Sequence, residues 1–384
     1  MRRYLENTIL RDLEKKIVLL SGPRQVGKTT LSRQLIPNSV YLNFDSAGDR
    51  SMIRKQEWDR SSPLVIFDEL HKLKNWKSFI KGVYDTEGIP PSLLVTGSAR
   101  LDIVRKAGDS LAGRFFSYRL HPLTVREVHS ATGDAPEFIL DRMLEVGGFP
   151  EPYLSGSPTF ARRWRRTHTD SIIREDLLDL ERIRDIKSIE ILIDLLRTRV
   201  SSGVSAASLA GDLQVSPHTI RHWLEILEKL YVIFPVRPYH RNIARSLLKE
   251  PKYYLYDTGS IERDPGARLE NTIALALLRE SHLLEDTTGK RTSLHSLRDR
   301  EKREVDFLVV IDGEPALMVE VKSSGDSFSR SLFHFRRFIP PVPTFQVVKG
   351  LRRSRSRDSV RMVSAASFLA SLDLSHPDRF SSST

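Results

Sequence analysis

The sequence predicts an α/β protein: a parallel-sheet core in the first third, a helical middle, and a second α/β unit towards the C-terminus. Three stretches carry that reading. Residues 15–35, "KKIVLLSGPRQVGKTTLSRQL", give a short apolar strand, a glycine loop and a helix. Residues 63–73, "PLVIFDELHKL", give an apolar run of the kind buried in parallel sheets, ending on Asp68–Glu69. Residues 303–324, "REVDFLVVIDGEPALMVEVKSS", give two apolar strands around a turn, yet carry Glu304, Asp306, Glu320 and Lys322.

In the first stretch, Gly22–Thr29 fits G-x-x-x-x-G-K-[ST] between a strand and a helix, the setting that pattern requires. Such a loop turns backbone N–H groups around phosphates at a helix N-terminus, where the helix dipole favours anions. The expected nucleotide contacts are Gly22, Pro23, Arg24, Gln25, Val26, Gly27, Lys28, Thr29 and Thr30, together with Asp68 and Ser98. Lys28 reaches the β- and γ-phosphates, and Thr29 ligates Mg²⁺. Asp68 holds the same ion through water, and Glu69 polarises the attacking water.

A strand over 39–45 precedes this edge, and "SLLVTGSAR" follows it, presenting Thr96 and Ser98 to sense the γ-phosphate. The acidic pair and the lack of N-K-x-D favour ATP over GTP. Arg114 follows a Gly-rich turn before a last strand, Phe116–Leu120. It either acts as a finger on a neighbouring subunit's nucleotide or braces its own loop.

The middle, from about 125 to 200, reads as mainly helical, interrupted by the loop "GGFPEPYLSGSP" at 147–158. Two further helices then flank a tight turn. Leu209 and Leu213 line the first; Ser216 caps the second, Pro217 occupies its first turn, and Ile220, Trp223, Leu224 and Leu227 form its buried stripe. With a wing-like strand over Tyr231–Val236, the pattern is a winged helix-turn-helix. His218, Thr219, Arg221 and His222 hold the positions that enter a major groove, while Glu225 and Glu228 would meet phosphate repulsion. A packing or oligomerisation module is the competing reading.

In the last third, "GARLENTIALALLRES" is a helix with Glu270 in its first turn, where an acid also compensates the dipole. Glu320 and Lys322, two apart on a strand, share a face. Asp306 joins them only if the hairpin register is odd. A plain two-residue turn at Asp312–Gly313 would set Asp306 opposite Val319 and leave Glu320 on the other face. The expectation is an odd loop or an equivalent bulge, with Pro315 favouring the loop.

The stretches "SGPRQVGKTT", "VIFDELHKLKNWKSFIKGVYD", "LLVTGSARL", "DSLAGRFFSYRLHPLTVRE", "GGFPEPYL", "PKYYLYDTG", "RLEN", "REVDFLV" and "VEVK" together resemble prokaryotic AAA-type P-loop ATPases whose C-terminal half is a restriction-endonuclease-like domain of unknown function. The resemblance implies an ATP-binding core, a helical and winged-helix middle and a PD-(D/E)XK nuclease-like α/β end. It also implies catalytic roles for Asp306, Glu320 and Lys322 and a metal shell of Glu270, Asp306 and Glu320, taking Mg²⁺ or Mn²⁺. The chain departs from the wider class in its second-sensor arginine, for which Arg174 is the best candidate. The expected boundaries are 1–125 for the ATPase, 126–195 for a helical bridge or lid, 196–240 for the winged helix, 241–375 for the nuclease-like domain and 376–384 for a flexible tail.

Composition sets the remaining bounds. The 384 residues can build two or three cored domains, and 40% hydrophobic with 28% charged residues is ordinary for a globular chain. The absence of cysteine excludes disulfides, thiolate zinc sites and cysteine nucleophiles, and fits a reducing compartment. No run approaches the roughly 18 apolar residues that span a bilayer. The N-terminus acquires Glu6, Asp12 and Glu14 where a signal peptide needs an apolar run, so a cytoplasmic protein without a membrane partner is expected.

The net charge of +11, densest at 161–166, 237–246 and 351–357, favours a polyanion partner. Solvated helix faces and a flexible Ser-rich stretch explain the same clusters. DNA is the expected partner, with a homo-oligomer holding nucleotide at its interfaces as a further expectation. The leading function is ATP-driven DNA processing with Mg²⁺-dependent cleavage; the rival is an ATP-gated regulator that only grips DNA.

Overall fold

Five apolar runs in the first third become strands: β1 (Ile17–Ser21), β2 (Val40–Asn43), β3 (Leu64–Asp68), β4 (Ser92–Thr96) and β5 (Phe115–Arg119). They form one parallel sheet in the order β2-β3-β4-β1-β5. The three central strands β1, β3 and β4 are buried along their whole length, which is why they read as continuous apolar runs instead of alternating ones. Leu20 and Asp68 are both in register with Thr96, so the ends of β1, β4 and β3 lie side by side. Helices Glu6–Leu13, Lys28–Leu35, Ala47–Lys55 and Trp76–Glu87 complete this region. One side of the core is aromatic, with Trp58 edge-on to Phe67 at 5.2 Å.

The computed structural model describes residues 1–97, 111–177, 185–240, 250–261 and 264–375. Ser98 and the 376–384 stretch therefore lie outside the described residues. The chain divides into two compact units: Met1–Pro122 with Lys229–Tyr231, and Leu123–Glu228 with Val232–Thr384. The residues on either side of the expected boundaries at 195 and 240 fall in the same compact unit.

In the second unit, helices Val125–Thr132, Pro136–Val146, Pro150–Ser155, Pro158–Ser171 and Ile186–Thr198 form the expected helical stretch. The interruption at 147–158 is smaller than the sequence suggests. Pro150 starts a short helix at a position where its missing N–H costs nothing, and left-handed Gly156 ends it.

Helices Ala206–Leu213 and Pro217–Lys229 flank the expected tight turn, with Gln214 in the left-handed conformation. The Ser216 hydroxyl accepts from the Thr219 N–H at 3.0 Å, and Ile220, Trp223, Leu224 and Leu227 are buried as expected.

The wing-like strand is β6 (Ile233–Pro238), and its partners correct the domain assignment. It pairs with β7 (Lys252–Leu255) and, through Arg237 and Pro238, with β8 (Thr292–Arg298), so it is a strand of the C-terminal sheet. That sheet adds β9 (Glu304–Ile311), β10 (Glu314–Lys322), β11 (Thr344–Val348), β12 (Arg355–Arg357) and β13 (Val360–Ser364) in the order β12-β13-β11-β10-β9-β8-β6-β7. The stretch 351–357, read as low-complexity sequence, contributes the edge strand β12, because backbone pairing with β13 needs no apolar side chains. A 24-residue helix, Pro265–Thr288, capped by Asp264, packs on β7, β8, β9 and β10. Among the described residues no helix is long and apolar enough to cross a membrane.

Candidate functional site

The glycine loop is shaped by close approach. At Gly22, with φ of +145°, a Cβ would lie 2.3 Å from the Leu120 carbonyl oxygen, so only glycine fits. Gly27, also left-handed, caps the helix Lys28–Leu35. The buried Lys28 ammonium donates to the carbonyls of Gly22 at 2.9 Å and Pro23 at 2.7 Å, folded over its own loop. An ammonium held there, beside a helix N-terminus, suits the phosphates of a nucleotide.

Asp68 gathers three hydroxyls. Thr29 donates to Oδ2 at 2.8 Å, Tyr41 donates to the same oxygen at 2.6 Å, and Thr96 donates to Oδ1. The Thr29–Asp68 pair is the hydroxyl and carboxylate set that suits Mg²⁺ on a bound nucleotide. Tyr41 was not foreseen; its only signal was a tyrosine on the strand beside β3.

Glu69 leaves β3 in the left-handed conformation, with φ of 57°. Burial, opposed by the nearby Lys28, pushes its carboxyl up to about 7, a range suited to a proton acceptor near neutral pH. The His71 Nε2 lies 3.5 Å from Glu69, while Lys72 is 3.9 Å from it and 2.7 Å from Asp45. Arg114 makes an ion pair of 2.7 Å with Asp85 on the helix Trp76–Glu87.

The hairpin of the second unit uses the bulge, one of the two register devices that the sequence left open. Asp312 and Gly313 have φ of 51° and 88° and form a two-residue turn, with Ile311 opposite Glu314 and Pro315 opposite Val310. A bulge at Ala316 then shifts the ladder by one residue, so that Leu317 faces Val309 and Val319 faces Phe307. Continued one step, that register sets Asp306 across from Glu320. The Val321 N–H donates to Asp306 Oδ2 at 2.8 Å, which ties that carboxylate to β10 beside Glu320. Of the two expected alternatives the bulge is found and the odd loop, which Pro315 favours, is not, because Asp-Gly meets the left-handed demands of an even turn so well.

Glu270 falls in the second turn of its helix, correcting the first-turn placement and removing dipole compensation as its explanation. It accepts from the Tyr254 hydroxyl at 2.6 Å and meets the Lys252 ammonium at 3.3 Å. Lys252, on β7, was missed by sequence reasoning, since a lysine opening "KYYL" carries no distinguishing signal. It is 7% exposed, ion-paired with Glu304, and 3.7 Å from Asp306. Burial lowers its affinity for a proton, but Glu270, Asp306 and Glu304 outweigh that and keep it charged.

Glu320, 4% exposed, pairs with Lys322 at 2.6 Å through Oε1, and its Oε2 has no hydrogen-bond partner among the described residues. Burial, followed by the charge of Asp306, pushes both Glu270 and Glu320 up to about 7; burial also raises Asp306. Among the described residues no group of three or more acidic or histidine side chains stands arranged to hold a metal ion. The donor set still suits a hard divalent cation: Asp306 and Glu320 share a face, and one buried carboxylate oxygen is unpartnered.

The basic clusters divide. Arg162, Arg163 and Arg166 are exposed on the helix Pro158–Ser171, but Arg165 is buried, ion-paired with Asp257 at 2.9 Å and donating to the Val146 carbonyl at 2.6 Å. In the second helix of the tight-turn pair, His218 and Arg221 are exposed, and so are Glu225 and Glu228.

Residues 14–129 match the AAA domain family, a span that contains the glycine loop, the parallel sheet and the Asp68–Glu69 edge. Residues 137–262 match a domain of unknown function, DUF8612, and residues 265–368 match another, DUF4143. An uncharacterized protein of Mycobacterium tuberculosis is 29% identical over 326 residues, covering 82% of this chain and 72% of that protein. One from Methanocaldococcus jannaschii is 24% identical over 353 residues, covering 82% and 77%. Among solved structures, a variant of Thermotoga maritima RuvB aligns at 20% identity over 60% of this chain and 85% of its own, with a TM-score of 0.28. Drosophila ORC bound to DNA aligns at 12% identity over 64% and 89%, with a TM-score of 0.23. Scores this low carry no argument about function.

Proposed function

From the P-loop ATPase core in its first third, we propose that the chain is an ATP-driven DNA-processing protein, in which nucleotide hydrolysis is coupled to DNA binding and to metal-dependent cleavage in the second unit. At the first site Lys28 neutralises phosphate charge, Thr29 and Asp68 hold the Mg²⁺ of the nucleotide, and Glu69 takes a proton from the attacking water. At the second, Asp306 and Glu320 hold a divalent cation, which would supply an activated water and stabilise charge on a phosphodiester. Lys322 offsets the developing charge, and Glu270 completes the acidic rim. DNA as partner is supported by the +11 net charge and by the exposed Arg221, Arg162, Arg163 and Arg166.

The observation that carries this reading is the Ala316 bulge, which turns Asp306 and Glu320 to one face of a hairpin that would otherwise separate them. A second reading, an ATP-gated regulator that grips DNA without cutting it, is favoured by Lys252, whose ammonium already satisfies Glu270 and Glu304. The test is incubation with Mg²⁺ or Mn²⁺, with and without ATP, against duplex, single-stranded, forked and four-way DNA, reading ADP release and strand scission together. DNA-stimulated hydrolysis with scission supports the first reading. Stimulated hydrolysis without scission selects the second, and ATP turnover indifferent to every DNA overturns both.

A further inference from the structure

We propose that Lys252 is a tethered cation of the acidic cluster, competing with a divalent metal ion for the same carboxylates, so that the site fills with metal only as this ammonium withdraws. The proposal rests on the reading of Asp306 and Glu320 as metal ligands, and deepens it by naming what controls their loading. Four features of the structure support it.

First, the Lys252 ammonium sits among three carboxylates from two different elements, Glu270 on the long helix and Glu304 and Asp306 on β9. Arg298 adds a second cation only at Glu304, 3.9 Å away, and Lys322 is engaged with Glu320, so Glu270 and Asp306 rely on Lys252. Second, the carboxylate across the hairpin is incompletely satisfied, since the buried Glu320 has an oxygen without a hydrogen-bond partner. Third, the lysine reaches the cluster from β7, the strand at the edge of the eight-stranded sheet, so it is not a residue of the acidic hairpin itself. Fourth, it has somewhere to go. A cleft of about 360 Å³ is lined by Lys252, Glu304, Arg298, Ser296 and Gly203, so open space adjoins the lysine on the Glu304 side.

An ammonium and a divalent cation attract the same carboxylates, but the cation carries twice the charge and accepts several oxygens at once. Removing Lys252 leaves three acids facing one another, which favours a cation drawn from solution.

The test is Mn²⁺ binding to the nucleotide-free full chain, read as the loss of the free-ion electron paramagnetic resonance signal. Wild type, Lys252→Met and Asp306→Asn are compared, the last subtracting sites elsewhere. Asp306-dependent affinity for Mn²⁺ is expected to tighten about tenfold or more in Lys252→Met, or to emerge there if the wild type shows none. Should that variant not fold, Lys252→Met/Glu304→Gln keeps the local charge balance and carries the same expectation. Unchanged or weaker Asp306-dependent binding in the folded variant overturns the role of Lys252 alone. No Asp306-dependent binding in any chain overturns the metal site, and this inference with it.

Discussion

In the proposed ATP site Glu69 and Lys28 have different roles, and their substitutions should separate accordingly. Glu69→Gln keeps the shape of the side chain but cannot take a proton, so nucleotide binding is expected to persist while turnover falls about 100-fold or more, measured by steady-state ADP release. Lys28→Ala removes the ammonium and should abolish turnover. In the second unit, Glu270 and Glu320 titrate at about 7 in the folded chain against an ordinary 4.5. The folded state then holds protons more tightly than the unfolded state. Its stability contribution is full below the ordinary value and is lost as pH rises through about 7. Metal-free protein should therefore melt at lower temperature at pH 8 than at pH 5, with Mn²⁺ reversing the loss; a melting temperature that rises over that range contradicts the assignment. These acids were legible because their order and residue types are those that the chemistry demands. Lys252 and Tyr41 were not, because a single lysine or tyrosine on a strand acquires meaning only from what the tertiary fold places beside it.

Among the elements, the hairpin β9–β10 shows where local sequence rules stop. Asp312–Gly313 announces a two-residue turn, and the turn forms. The bulge at Ala316 makes no demand on residue type, so no local signal could place it; only the requirement that two distant carboxylates meet argued for a register shift. Deleting Ala316 removes the unpaired residue and joins Pro315 to Leu317, so Leu317 should still face Val309 and Glu320 should stay across from Asp306 in a hairpin without a bulge. Retained Asp306-dependent Mn²⁺ binding is the expected outcome, read by metal titration; loss of that binding in a folded deletion variant would contradict the shared face. The helix Pro217–Lys229 was legible in full, since its Ser216 cap and buried stripe are local properties. Its proposed contact with DNA is tested by Arg221→Ala, expected to lower the slope of log affinity against log salt by about 1.

For the whole molecule, composition gave the charge and motif order gave the ATPase core, but the extent of the second unit was hidden. The strand read as a wing, β6, joins a sheet whose other members lie far along the chain, out to β13 at Val360–Ser364, and no local pattern records that pairing. The +11 charge predicts that DNA affinity falls roughly 10³-fold between about 50 and 200 mM salt if many phosphates are contacted. The central claim is that one chain carries two separable chemistries, ATP hydrolysis in the first unit and metal-dependent strand scission in the second. The most direct measurement tracks ADP release and DNA cleavage in the same Mn²⁺-containing reaction for wild type, Glu69→Gln and Asp306→Asn. The account predicts that Asp306→Asn loses scission while still hydrolysing ATP, and that Glu69→Gln loses hydrolysis. Scission by Asp306→Asn at the wild-type rate, or its absence from the wild type on every DNA offered, would contradict it.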